Sequence, residues 1–184
     1  MSTESIEAHI LKSEKNLRIA GAVAEAWLAV RKRLVHDFFR GVEKTLKKKL
    51  PGWECDLWGE YFMEAYPGFY VGKPTWLERY SINLECHQYG EKMLFGVWRN
   101  QKKLAKQPFC SEVLTAVRAR FPSARSREWW EAEITMQTPA RDWRKPESLW
   151  RIHNDAKFLE DVAEQLLSVA KTSEPIIDRL VAAK

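Results

Sequence analysis

The chain reads as an α+β protein. It should carry a small, mainly antiparallel sheet with a hairpin near residues 81–98, covered by a long N-terminal helix and C-terminal helices. Three observations predict this. Apolar residues recur at helical spacing through most of the first fifty positions, strict alternation flanks a glycine-bearing break between Ile82 and Trp98, and a second helical stripe runs from Phe158 to Val169.

In the first segment, Ala20, Ala24, Trp27, Leu28, Leu34, Val35, Phe38, Val42 and Leu46 fall near a 3.6-residue period. Arg31, Lys32, Arg40, Lys44, Lys47 and Lys48 take the other side, and Pro51-Gly52 stops the helix. A shorter helix over about Ser5 to Leu17 precedes it. Residues 1–50 thus form a helical segment packing on an α+β domain of residues 51–184, the two making one structural unit. Trp27 belongs to the apolar face and is expected in the core.

From Trp53 the period changes to two. Cys55 and Leu57 alternate with Glu54, Asp56 and Trp58, which predicts a strand. The stretch from Ala65 to Thr75, with Pro67-Gly68 and Gly72-Lys-Pro74, reads as a loop. Ile82, Leu84 and Cys86 then alternate with Asn83, Glu85 and His87, the break Gln88-Tyr-Gly-Glu-Lys92 follows, and Met93 to Trp98 returns, a hairpin signature. Ser111 is placed as the N-cap of a helix carrying Val113, Leu114, Val117 and Phe121, ended by Pro122. Arg125-Ser-Arg127 is read as loop. In the next strand Trp130, Ala132, Ile134 and Met136 point one way, and Trp129, Glu131, Glu133 and Thr135 the other. Pro139 to Lys145 is a polar turn and Pro146 opens a short helix. Asn154 caps the last amphipathic helix, which Ser173-Glu-Pro175 restarts or kinks.

Composition narrows the function. Of 184 residues, 45% are hydrophobic and 30% charged, a globular balance, and nine are tryptophan. Indoles in that number need a thick core, a binding surface, or both. No apolar run approaches the roughly 20 residues of a membrane span, and the acidic N-terminus lacks an apolar signal core. Cys55, Cys86 and Cys110 are widely spaced and odd in number, which favours reduced thiols in a cytoplasmic protein. The net charge of +5 is unevenly spread. Residues 31–49 and 99–127 are strongly basic, whereas 54–91 and 155–178 are acidic.

No GxxxxGK[ST], GxGxxG, GxSxG or HExxH pattern occurs, and no catalytic residue, metal ligand or cofactor is assigned. The leading candidate surface is basic with interleaved aromatics. Arg99, Lys102, Lys103, Lys106, Arg118, Arg120, Arg125 and Arg127 would contact phosphates, with Trp98 or Trp129 stacking on bases. Such a surface suits DNA or RNA. A second reading takes the acidic block 54–91 and the turn-located Trp58, Trp76, Trp129, Trp143 and Trp150 as anchors for a protein partner, in the manner of an immunity, inhibitor or antitoxin-like subunit. A third pairs Glu85 with His87, which share a strand face, and adds Glu54 and Asp56 as ligands of a metal-dependent nuclease. Glu131 and Glu133, on one predicted face, are a further carboxylate pair.

The run Lys-Leu-Pro-Gly-Trp53, the hairpin Ile82-Asn-Leu-Glu85 with Leu94-Phe-Gly-Val-Trp98, the pair Trp129-Trp130, the spaced Trp143 and Trp150, and the closing amphipathic helix together resemble one family. It is the C-terminal accessory domain of some bacterial proteins of the PD-(D/E)XK nuclease superfamily. The resemblance covers about Phe38 to Leu180. That superfamily's active site uses an acid followed by acid-x-lysine on the next strand, whereas here Glu85-Cys-His87 lacks the lysine. The resemblance therefore implies a non-catalytic companion domain in a phage, defence or mobile-element setting.

Overall fold

The computed structural model describes residues 3–59, 66–137 and 141–183. Residues 60–65, within the acidic block and at the start of the predicted loop, and Pro139 and Ala140 of the predicted turn lie outside these residues. A short helix α1 (Thr3–Ile10) turns into α2 (Glu14–Lys49), whose N-cap Ser13 accepts a hydrogen bond from the Asn16 N–H at 3.1 Å. The break thus falls inside the helix predicted over Ser5 to Leu17, because Ser13 captures an orphan N–H that a continuous helix would pair internally.

Strands β1 (Glu54–Trp58), β2 (Gly68–Gly72), β3 (Tyr80–His87) and β4 (Lys92–Arg99) form an antiparallel meander. A four-residue helix α3 (Gln101–Leu104) and α4 (Ser111–Arg120) follow, then β5 (Arg125–Arg127), β6 (Trp130–Thr135), α5 (Pro146–Asn154) and α6 (Ala156–Ala182). The sheet order is β1-β2-β3-β4-β6-β5, every pairing antiparallel.

The predicted fold class holds, and the hairpin holds residue by residue: Ile82 faces Val97 and Leu84 faces Phe95. Its turn at Gln88–Gly90 is left-handed, with φ of 51°, 56° and 97° at Gln88, Tyr89 and Gly90.

Several expectations change. The stretch read as loop contains β2, whose five residues Gly-Phe-Tyr-Val-Gly carry too few alternations to register as a strand. Arg125-Ser-Arg127 is an edge strand, held by the neighbouring β6. The cap of α4 is Cys110, with Ser111 the first helical residue. The cap of α6 is Asp155, which accepts from the Phe158 N–H at 3.0 Å, so Asn154 closes the preceding helix instead. Pro146 does stand in the first turn of α5. Helix α6 continues through Pro175, and the Ser173 hydroxyl donates to the Val169 carbonyl at 2.7 Å just before it.

Among the described residues, the helices that pack on the sheet all do so on one face. Phe69, Val71, Ile82, Leu84, Cys86, Phe95, Val97, Ala132 and Ile134 form a single core with Phe38, Phe39, Val42 and Leu46 of α2, Val113 and Val117 of α4, Leu149 of α5 and Val162, Leu166 and Ile177 of α6. Trp143 lies in this core, its ring 5.2 Å from Phe38 and 5.5 Å from Phe39. Trp76 is fully buried, and its Nε1 donates to Asp178 at 2.7 Å, tying the β2–β3 connection to α6. Both were expected at a partner surface. Trp27, expected in the core, is 39% exposed, because α2 buries nothing before Val35.

The three thiols are free. Burial pushes Cys55 up to about 11 and Cys86 up to about 12, so both are held as unreactive, core-filling thiols. Among the described residues no helix is long and apolar enough to cross a membrane.

Candidate functional site

Among the described residues the other face of the sheet carries no helices, and it forms a groove of about 1130 Å³. Strand alternation puts Ser81, Asn83, Glu85 and His87 of β3 on this face, opposite Trp98, Gly96, Leu94 and Lys92 of β4. Tyr70 of β2 and Trp58 of β1 extend the lining on one side, and Glu133, Trp130, Trp129, Glu128 and Arg127 close the other.

The floor is a chain of polar side chains. The Ser81 hydroxyl donates to Asn83 Oδ1 at 2.6 Å, and Asn83 Nδ2 donates to Glu85 Oε1 at 2.9 Å. His87 Nε2 lies 2.8 Å from the second Glu85 oxygen. Ser81, Asn83 and Glu85 are each less than a tenth exposed. Hydrogen bonding therefore converges on the Glu85 carboxylate, whose remaining lone pairs can accept further N–H or O–H donors.

The rims are aromatic. The rings of Trp98 and Trp129 stack with centroids 6.2 Å apart and planes 17° apart. At the other end Trp58 leans on Tyr70 at 6.2 Å and donates its indole N–H to the Tyr66 carbonyl, while the Tyr66 ring meets His87 edge-on at 4.9 Å. Glycines make the close approaches possible. Gly96, with φ of 143°, sits between Asn83 and Glu133, and a Cβ there would come within 1.9 Å of the Ala132 carbonyl oxygen. A Cβ at Gly68 would strike the Trp58 ring at 2.6 Å.

A β-bulge overturns the predicted faces of β6. Trp98 pairs with Trp130 while Gly96 pairs with Glu133, so these two β6 residues share the groove face although three positions apart. Glu131 is turned away, buried against Arg99 at 3.1 Å, and accepts the Cys110 N–H at 2.7 Å. Burial raises the Glu131 pKa, opposed by the Cys110 N–H and the Arg99 charge. Glu131 and Glu133 are therefore not a shared-face pair, and Trp130 is a buried groove wall rather than part of the helix-side core.

The eight cations predicted to contact phosphates do not gather into one cradle. Arg99 is 1% exposed and donates to the carbonyls of Leu104 and Gln107 besides pairing with Glu131, so it braces the turn after β4. Arg125 and Arg127 both pair with Glu133, at 3.1 and 3.3 Å. Arg118 is exposed and donates to the Ala124 carbonyl. Lys102, Lys103, Lys106 and Arg120 are exposed. Of the predicted cations only Arg127 lines the groove, together with both predicted stacking residues, Trp98 and Trp129.

Glu85 and His87 do come together, as their spacing predicts. Among the described residues, however, no three His, Cys, Asp or Glu side chains are grouped to hold a metal ion, so Glu54 and Asp56 do not complete a site with them. Ser81 and Tyr70 are not among the sequence-derived candidates, and Asn83 enters the sequence reading only through the alternation of its strand. The alternation Ser81-x-Asn83-x-Glu85-x-His87, four polar residues on one strand face, was the available signal.

The groove's charge is mixed: Glu85, Glu128 and Glu133 against Lys92 and Arg127. Burial and the nearby Arg127, Arg125 and Arg141 lower the Lys92 pKa, weakening its hold on a proton. Compared with models of known protein families, with curated protein sequences and with solved structures, the chain matches none.

Proposed function

We propose that the protein is a non-catalytic binding module that captures a partner protein in the sheet-face groove, with an arginine or lysine side chain of the partner reaching Glu85. One observation carries this reading: aromatic rims stand over a polar floor whose hydrogen bonds all run toward one buried carboxylate. Aromatic faces attract cations, and a carboxylate with free lone pairs accepts N–H donors. Three carboxylates in the lining disfavour a phosphate at the same place. The resemblance described above suggests a phage, defence or mobile-element setting for such a module.

The test is a titration of the intrinsic tryptophan fluorescence with arginine-containing peptides and with the same peptides carrying neutral citrulline. Saturable binding of the arginine series, weakened tenfold or more in Glu85→Gln and in Trp129→Ala, is expected. Equal response to both peptide series, or none, removes the reading.

A nucleic-acid role is the second reading, favoured by the exposure of Lys102, Lys103, Lys106 and Arg120 and the net charge of +5. It predicts single-stranded DNA or RNA binding at low salt, with a salt slope that falls by about one for each of these residues replaced. Undetectable binding at low salt rules it out.

A further inference from the structure

We infer, resting on the Glu85 reading above, that the groove receives the C-terminus of its partner's chain and that the last residue there is lysine or arginine. The side-chain cation of that residue meets Glu85, and its free α-carboxylate meets Lys92. Strand register supplies the geometry. Lys92 pairs directly with His87, and Glu85 with Leu94, so Lys92 and Glu85 are diagonal neighbours on one sheet face. Backbones of such neighbours lie roughly 7–8 Å apart. Opposite charges at that separation suit the two ends of one basic residue, whose flexible stem sets head and α-carboxylate apart.

Lys92 is the uncommitted cation of the lining. Arg127 is held by Glu133 at 3.3 Å, and the same carboxylate oxygen holds Arg125 at 3.1 Å. Among the described residues the Lys92 amine has neither a hydrogen bond nor an ion pair. Two arginines share one carboxylate there, so positive charge is in excess around Lys92. Burial works against its proton, as do Arg127, Arg125 and Arg141, while Glu133 alone supports it. An incoming carboxylate offsets that field, and an incoming cation is repelled by it. Glu128 does not cancel it, because it follows Arg127 at the Trp98–Trp130 end, the length of β4 away from Lys92. The groove is therefore dipolar, negative along β3 and positive toward β5 and β6.

Size selects a chain end over a free amino acid. Pockets of about 300–1,000 Å³ already enclose drug-sized ligands, and this groove has about 1130 Å³. From Ser81 to His87 its floor runs roughly 20 Å, the length of about six extended residues. The stacked rings of Trp98 and Trp129 stand at the end remote from Lys92, where they can hold the residues that precede the terminus.

The test titrates intrinsic tryptophan fluorescence with an N-acetylated, otherwise uncharged hexapeptide ending in arginine. It is made as the free acid and as the C-terminal amide, and free arginine is titrated alongside. The acid should bind about tenfold more tightly than the amide, the worth of one charge-assisted hydrogen bond. Free arginine should bind more weakly than either peptide. In Lys92→Met the acid and the amide should bind alike, and Lys92→Arg should restore the preference. Equal affinity of acid and amide for the wild type overturns the terminal-carboxylate assignment while leaving capture of a basic side chain by Glu85 standing. Binding of neither peptide removes both readings. A preference for the acid that survives in Lys92→Met overturns the part given to Lys92, and free arginine binding as tightly as the hexapeptide acid overturns the chain terminus as the ligand.

Discussion

The two halves of α2 carry the same kind of apolar stripe and meet opposite fates. Val35, Phe39, Val42 and Leu46 are fully buried beneath the sheet and the C-terminal helices. Leu17, Ile19, Val23 and Trp27, one helical stretch earlier, lie outside any core. Helical periodicity reports that one side of a helix must be covered, and it is silent on what covers it. Glu43 makes the same point from the polar side. It is 7% exposed on the buried half, and although burial raises its pKa, hydrogen bonds from Lys47 and Arg40 carry the balance below the ordinary carboxylate value.

The comparison is broken most severely by truncation in the buried half. Phe39→Ala should cost about 3–5 kcal/mol in urea unfolding, since the ring is fully enclosed against Phe38 and Trp143. Trp27→Ala should cost less than about 0.5 kcal/mol. Equal losses would mean that the first half of α2 is cored too.

The buried ion pair behind β6 gives the next largest effect. Glu131→Gln leaves Arg99 without its compensating charge and should cost about 3 kcal/mol or more, whereas replacing both with methionine should restore much of it. Gly96→Ala, by forcing a Cβ onto the Ala132 carbonyl at a φ of 143°, should cost more than about 2 kcal/mol and distort the groove floor.

The smallest expected change is at the closing contact of α6. Asp178 accepts from Trp76 Nε1 at 2.7 Å and pairs with Lys73 at 2.6 Å. Burial raises its pKa, but the hydrogen bonds from Lys73 and Trp76 outweigh that and leave the pKa lowered. The unfolded chain therefore binds this proton more tightly than the folded one. The stabilisation is fully present above the unfolded value of about 3.9 and is lost as pH falls from there through the lower folded pKa. Asp178→Ala should cost about 1–2 kcal/mol at neutral pH. The difference from wild type in thermal unfolding should narrow below pH 4, and a difference that widens on acidification contradicts the assignment.

Much of the sheet was legible because alternation survives wherever one face meets a core. The hairpin of Ile82 to Trp98 needed no tertiary information, since its glycine break and period-two runs are local. Strand β2 escaped notice because both its ends are glycine and a proline precedes it. The bulge in β6 escaped because an extra residue shifts the alternation without altering composition, which moved Glu131 to the helix side and Trp130 to the groove. For the site, the pairing of Glu85 with His87 followed from spacing alone. The burial of Arg99 did not, because an arginine that braces two carbonyls and a carboxylate looks in sequence like any other cation.

By itself the sequence determined the long helices, the antiparallel hairpin, the polar face of β3 and the apolar stripe of α2, all of which follow from local periodicity. Tertiary structure decided which face of the sheet stays open, which tryptophans leave the core for the groove, and how far along α2 the core reaches. These depend on strand order, one bulge and the docking of distant helices, where the energy comes from contacts between residues far apart in the chain.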